Sequence, residues 1–246
     1  GWRPAFWIVG IPGLILAFFA WRLKDPKSGA RTARENPPLS DYFSLFKIPS
    51  FTLVTLAGAA MTFSLGGLAV WMPTYYVREL GMSLGKAGSL FGGITVLSGI
   101  LGSLAGGWIS DWILKFNSRA YFLVSGLGML IGLPLAASAL LTGNQTVSIA
   151  ALFLAECFIF LNMGPLNAII ASVTRIGNRS MAFAANIFII HALGDAISPT
   201  LIGAVSDRVG LKVALLYSLV GLGFAGLLCL SGLSRYDRDY AQATHG

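Results

Sequence analysis

Charge is what this 246-residue chain has least of: 11% of its residues are Asp, Glu, Lys or Arg, less than half of the roughly 25% found in an average soluble domain. With 55% hydrophobic residues beside that, the chain cannot cover itself for water, which excludes an ordinary soluble enzyme or binding domain. Cysteine is almost missing. Cys157 and Cys229 lie inside apolar runs, far from any second cysteine at disulfide or zinc-ligand spacing, so neither a disulfide framework nor a metal site is expected. There is no serine elbow, cysteine nucleophile or glycine-rich phosphate loop, and no cofactor is expected. No signal peptide is recognisable, and the chain opens at Gly1 without an initiator Met, which reads as a cut or a missing first half.

What is present in quantity is long apolar sequence. Runs at about 5–23, 51–77, 86–113, 120–142, 147–174, 181–205 and 212–233 are each long enough to cross ~30 Å of hydrocarbon at about 1.5 Å per residue. Seven membrane helices in one domain are expected. Gly92, Gly93, Gly99, Gly102, Gly106 and Gly107 crowd the third run, where small residues let helix backbones approach closely.

The net charge of +7 raises nucleic acid as a partner, but the basic residues sit in gaps between apolar runs, which excludes it. Residues 24–38 carry Lys24, Lys27, Arg31, Arg34, Pro37 and Pro38 without apolar periodicity, the mark of a linker. Beyond it Leu39, Tyr42, Phe43 and Phe46 recur at i, i+3, i+4 and i+7, which predicts a short amphipathic interfacial helix. Arg22, Lys47, Lys115, Arg119, Arg175, Arg179, Arg235 and Arg238 share the linker's side, whereas Arg3, Arg78, Lys86, Arg208 and Lys212 fall on the other. The excess places linker and C-terminus in the cytoplasm.

One repeat bears on architecture. Gly107-x-x-Ser-Asp111 ends the third run, and Gly203-x-x-Ser-Asp207 ends the sixth. Three helices separate the copies, an odd number, so they finish on opposite sides, as an inverted three-plus-three repeat requires.

Six helices after a basic linker, built as inverted triplets, resemble the C-terminal half of a major facilitator superfamily transporter preceded by the last helix of the N-terminal half. The implied fold is an all-α membrane protein, with residues 1–23 as that last helix and 24–50 as a cytoplasmic linker. Residues 51–233 would be the six-helix transporter domain and 234–246 a cytoplasmic tail. Asp111 with Lys115 and Arg119 is similar to the superfamily's cytoplasmic loop motif, although Trp112 stands where a basic residue is usual and the loop glycine is absent.

Three further stretches, GWRPAFWIVGIPG at 1–13, Glu156 with FLNMGPLN at 160–167, and HALGDAISP at 191–199 continued by LIGAVSD at 201–207, resemble the spinster family. That resemblance implies export of lysolipids or sphingoid phosphates, coupled to protons, by alternating access in a bacterial inner membrane or cell membrane. The partners implied are an amphiphilic lipid substrate, protons, membrane lipids and an N-terminal half absent from this chain. A drug or organic-anion exporter of the same superfamily is the alternative. A half-transporter serving as a scaffold, and a membrane acyltransferase built on His191 and Asp195, are remoter ones. The acyltransferase spacing lacks the usual four intervening residues.

Costly polar groups at membrane depth are the candidate site. Glu156 lies mid-span, where an ionisable group costs ~2.5–3.5 kcal/mol to insert. It is expected to face a cavity as proton carrier or contact for a cationic headgroup, or else to be a protonated Glu bonded between helices. His191 and Asp195, four apart, share a helix face. The family resemblance makes His191 a titratable gate or substrate contact and Asp195 its orienter, with Asn186 one further turn away; a structural His is the other reading. Asn162 and Asn167 flank Gly164-Pro165, a helix-breaking pair that predicts a pore-lining bend, with interhelical bonding the alternative, and Pro199 predicts a similar kink. Trp71, Tyr75 and Tyr76 read as an interfacial aromatic belt, or else as a grip on an acyl chain. Asp111, Lys115, Arg119, Asp207 and Arg208 sit at helix ends as electrostatic latches or as plain solvated charge.

Overall fold

A peptide group deprived of water must find its hydrogen-bond partner inside the chain, and an apolar run does so locally by forming helix. The computed structural model describes residues 2–23 and 38–245, which contain helices and no strand among the described residues. The chain divides into two units, residues 1–33 and 34–246. In the first, α1 (Trp2–Trp21) is a 20-residue apolar helix with Pro12 inside it. The linker residues Lys24, Lys27, Arg31, Arg34 and Pro37 lie outside the described residues.

The second unit opens with α2 (Leu39–Leu45) and continues with α3 (Pro49–Leu80), α4 (Leu84–Leu114) and α5 (Ala120–Leu141). Then come α6 (Gln145–Phe160), α7 (Met163–Val173), α8 (Arg179–Ile190), α9 (Ser198–Val209), α10 (Leu211–Ser218), α11 (Val220–Gly232) and α12 (Tyr236–His245). Six helical stretches are long and apolar enough to cross a membrane: α3, α4, α5, α6 with α7, α8 with α9, and α10 with α11. They match six of the seven apolar runs to within a few residues at each end. The ends carry local stop signals. Pro49 occupies the first turn of α3, where a missing N–H is harmless, and Gly81 closes it at φ 66° with its N–H on the Tyr76 carbonyl. Asn144 caps α6, its side chain accepting from the Thr146 and Val147 amides.

Helix α5 packs on α6, α11 on α3 and α5, and α4 on α6. The α4–α6 crossing depends on glycine: a Cβ at Gly106 would fall on the Leu161 carbonyl, whereas one at Gly107 would meet nothing within 4 Å.

The short helix α2 has Phe43 71% exposed, while Leu45 is buried and Tyr42 and, just past the helix, Phe46 pack against the core; Phe46 is edge-on to Phe51 at 5.4 Å. The aromatic belt expected at the end of α3 is not formed. Tyr75 and Tyr76 are fully buried, and the Tyr75 hydroxyl donates to the Leu140 carbonyl at 2.7 Å, because the end of α3 is covered by its neighbours instead of facing lipid headgroups.

The tail is not free either. Tyr236 is buried edge-on against Phe122 at 5.9 Å. Asp237 accepts from Ser118 Oγ at 2.7 Å and pairs with the Arg119 guanidinium at 2.6 Å. The Ser118 hydroxyl, with Arg119 beside it, holds the Asp237 carboxyl below its ordinary value of 3.8. Both partners of this ion pair are nearly half exposed, so its direct contribution is small, on the order of 0–1 kcal/mol.

Replacing Gly106 by Ala forces backbone apart at the α4–α6 crossing and is expected to destabilise the full-length protein in detergent by about 1–3 kcal/mol. Gly107→Ala, in open space, is expected to leave the unfolding midpoint unchanged or slightly raised; equal losses at both positions would contradict the packing. A carboxyl lowered on folding adds stability above its unfolded value and loses it as pH falls through the lower folded value. Protease protection of residues 236–245 is therefore expected to stay constant from neutral pH to about pH 4 and to weaken only below that.

Candidate functional site

Three spans are interrupted near their middles: α10–α11 at Leu219, without a proline, and the two that border a cavity, α6–α7 and α8–α9, by one rule. A proline lacks the N–H that the carbonyl four residues earlier would receive, and its ring crowds that carbonyl. Pro165 thereby orphans Leu161, and the break between α6 and α7 falls at Leu161–Asn162, one turn before the Gly164-Pro165 pair where the sequence places it. Gly106 backs onto the orphaned Leu161 carbonyl. The Asn162 amide donates to the Ile159 carbonyl and touches Met61 Sδ at 2.9 Å.

Pro199 does the same to Asp195. The kink lies ahead of the proline, in a wide turn at His191–Asp195 where the Ala196 N–H reaches back five residues to the His191 carbonyl at 3.1 Å. Gly194 leaves helical geometry there, with φ −96° and ψ −105°. A Cβ on it would come within 2.8 Å of Thr62 Cβ, so α3 crosses this turn at backbone distance. Wide turns of this kind recur at functional sites. The Trp71 indole N–H donates to the Pro199 carbonyl at 2.9 Å, tying α9 to α3; this interhelical bond accounts for Trp71.

Between the two breaks and α3 lies a cavity of about 300 Å³ whose polar lining is Asn162, Asn167, Asn186, His191 and Thr62, the rest being apolar side chains of α3, α7 and α8. No Lys or Arg is among the lining residues. Asn167 donates to the Met163 carbonyl at 2.7 Å, which leaves its Oδ1 without a partner among the described residues. Asn186 is only 8% exposed and forms no hydrogen bond with any described residue, an uncommon state for a buried amide and one that calls for a ligand or water. His191 Nδ1 lies 3.0 Å from both oxygens of Asp195. With Asp195 ionised, that contact puts the hydrogen on Nδ1 and leaves Nε2 as an acceptor.

The structure thus brings Asn162, Asn167, Asn186 and His191 together, with Asp195 bonded to the imidazole. Glu156 does not join them. It is 1% exposed, pressed between α6 and α4, where its carboxyl accepts from Ser98 Oγ at 2.9 Å and from Thr95 Oγ1 at 3.4 Å. The cavity-facing expectation for Glu156 is replaced by the interhelical one, since the two α4 hydroxyls supply what a hydrated cavity would otherwise supply. Tyr75 is spent on Leu140. Among the helix-end charges, Asp111 accepts from the Tyr121 hydroxyl at 3.2 Å and Arg119 turns to Asp237. Lys115, Asp207 and Arg208 are exposed and form no ion pair with a described residue. Sequence reasoning missed Met61, Thr62, Thr95 and Ser98, whose only signal was helical spacing within apolar runs. It also missed Asp237 and Asp239, whose signal was the charged, aromatic-flanked start of the tail.

The sequence pattern of the Major Facilitator Superfamily matches residues 1–199. Protein spinster homolog 1 of Xenopus tropicalis is 33% identical over 247 aligned residues, covering 92% of this chain and 46% of its own. Protein spinster of Drosophila melanogaster is 31% identical, covering 85% of this chain and 36% of its own. The sphingosine-1-phosphate transporter SPNS2 of Mus musculus is also 31% identical, over 90% of this chain and 43% of its own. This chain therefore spans less than half the length of these relatives. Among solved structures, a bacterial homolog of the human lysosomal transporter spinster, inward-facing and unoccupied, superposes with a TM-score of 0.71 at 19% identity, over 97% of this chain and 60% of that one. The Escherichia coli fucose:proton symporter reaches 0.69, also at 19% identity, over 94% of this chain and 55% of that one; at such identities the likeness is one of fold. The chain belongs to the major facilitator superfamily and, within it, to the spinster family.

Proposed function

We propose that this chain forms the C-terminal half of a secondary transporter that moves an amphiphilic lipid, such as a lysophospholipid or sphingoid phosphate, by proton-coupled alternating access. Residues 51–233 would be the transporting bundle, 1–23 the last helix of the other half, 24–50 the cytoplasmic linker and 234–246 the cytoplasmic tail. The observation that carries the reading is the cavity between α3, α7 and α8: apolar walls with an unpartnered Asn186 and an Asp-oriented His191 fit a molecule that is greasy at one end and polar at the other. At about 300 Å³ it sits at the lower bound of ligand pockets, room for a headgroup and the start of a chain. A whole lipid needs the other half as well. Without Lys or Arg in the lining, the counter-charge for a phosphate falls to protonated His191 or to the other half.

In this mechanism the exposed imidazole is the coupling group. Protonation at Nε2 turns the pair into an imidazolium–carboxylate at the joint between α8 and α9, next to the α3 crossing, so charge and substrate are read at one place. Two half-bundles then rock about a midplane site. Asp111, Lys115, Arg119, Asp207 and Arg208 act as latches at the helix ends.

The test is uptake of a fluorescent lysophospholipid by the full-length protein in proteoliposomes under an imposed pH gradient. His191→Gln and Asp195→Asn are each expected to lower gradient-driven uptake on the order of tenfold, inside the usual range of coupling energies. Asn186→Ala is expected to raise KM roughly three- to tenfold with little change in maximal rate, the loss of about one hydrogen bond to the ligand. Glu156→Gln keeps an acceptor for Ser98 and is expected to remain coupled. An uncoupled Glu156→Gln together with a coupled His191→Gln would reverse the assignment.

A further inference from the structure

The first turn of α3 lacks a local cap. Ile48, at the capping position, has no side-chain acceptor and Pro49 has no N–H, so the Ser50 amide is the first donor in need of a partner. The partner comes from 189 residues away: Asp239 Oδ2 accepts the Ser50 N–H at 2.8 Å, with Asp239 only 2% exposed. A carboxylate at that position also meets the positive end of the helix dipole. Cavity-lining Val54 lies one turn further along α3.

The same tail helix holds two other spans. Tyr236 and Asp237 grip the start of α5 through Phe122 and through Ser118 with Arg119, and α12 packs along α7. Asp237 and Asp239 are two apart, so they leave the helix on different sides, which is why one short helix reaches both α5 and α3. Helices α3 and α7 each supply cavity residues; α5 supplies none of them.

We propose that Asp239 is a positioning residue for transport: from the tail it caps α3 and makes α12 a clamp that holds α3, α5 and α7 in fixed register while the half-bundle rocks. Its structural part stands without the lipid reading, and its effect on turnover rests on that reading. The ion pair of Asp237 steadies the clamp, and the cap is its working contact.

The experiment measures hydrogen exchange at residues 50–58 of the full-length protein, together with uptake of the fluorescent lysophospholipid. Asp239→Ala is expected to speed exchange there roughly fivefold, the scale of a lost helix cap, and to lower maximal uptake with KM unchanged. Asp239→Asn keeps an oxygen in place and is expected to restore most of both. Asp237→Asn, at an exposed site, is expected to give a weaker form of the same effect. Exchange at 50–58 that matches wild type in Asp239→Ala, or that rises equally in every span, would overturn the clamp. A wild-type protein that carries no lysophospholipid, with α3 still loosened selectively by Asp239→Ala, would sink the lipid reading and leave the clamp standing.

Discussion

Hydrocarbon gives a stranded peptide carbonyl nothing to bond to, and of the prolines inside this bundle's helices two, Pro165 and Pro199, strand theirs beside the cavity. Everything distinctive about the site follows from how the chain covers those two groups. Leu161's carbonyl is met by the bare backbone of α4 at Gly106, and the adjoining turn is stitched by the Asn162 amide. Around Asp195 the chain opens into a wider turn, and α3 closes over it at Gly194, with Trp71 fixing the restart of the helix. Irregular backbone survives at membrane depth only where it is buried in protein or lines a water-filled space, and here it does both: one flank is sealed by helix crossings and the other borders the cavity.

The bundle separates two kinds of acidic group by their surroundings. Glu156 is enclosed and answered by two hydroxyls of one neighbouring helix, an arrangement that joins α4 to α6. Interhelical bonds of this sort are worth about 0.6 kcal/mol each on average, so their use lies in fixing register more than in strength. Asp195 has a side chain 40% exposed and a titratable imidazole as partner. Of the two, only the second is bonded to a side chain that lines the cavity.

The spans were legible because insertion into lipid depends on composition over about twenty residues, a quantity that one sequence displays directly. The family was legible because GWRPAFWIVGIPG, FLNMGPLN and HALGDAISP are local strings. The polar pairing of His191 with Asp195 could also be read, since four residues is one turn. What stayed hidden was rotation: an apolar helix looks the same from all sides, so nothing told Glu156 to face α4 instead of the cavity, or Thr62 and Met61 to face it. The buried Tyr75 and Tyr76 were misplaced for the related reason that an aromatic residue at a span end fits a lipid boundary and a packed core equally well. The link from Asp239 to Ser50 joins chain segments far apart in sequence and leaves no local trace.

The wide turn at 191–195 holds about one residue more than a regular turn, so the helix after it is out of phase with the helix before it by roughly 100°. The cavity lining from this span, Asn186, Ile190 and His191, is therefore not continued by α9, which meets Trp71 at Pro199 and Gly203 instead. Mechanically, this 34-residue span is two rods joined at an elbow, with the imidazole seated on the elbow. A small change of bonding there has a long lever on either side.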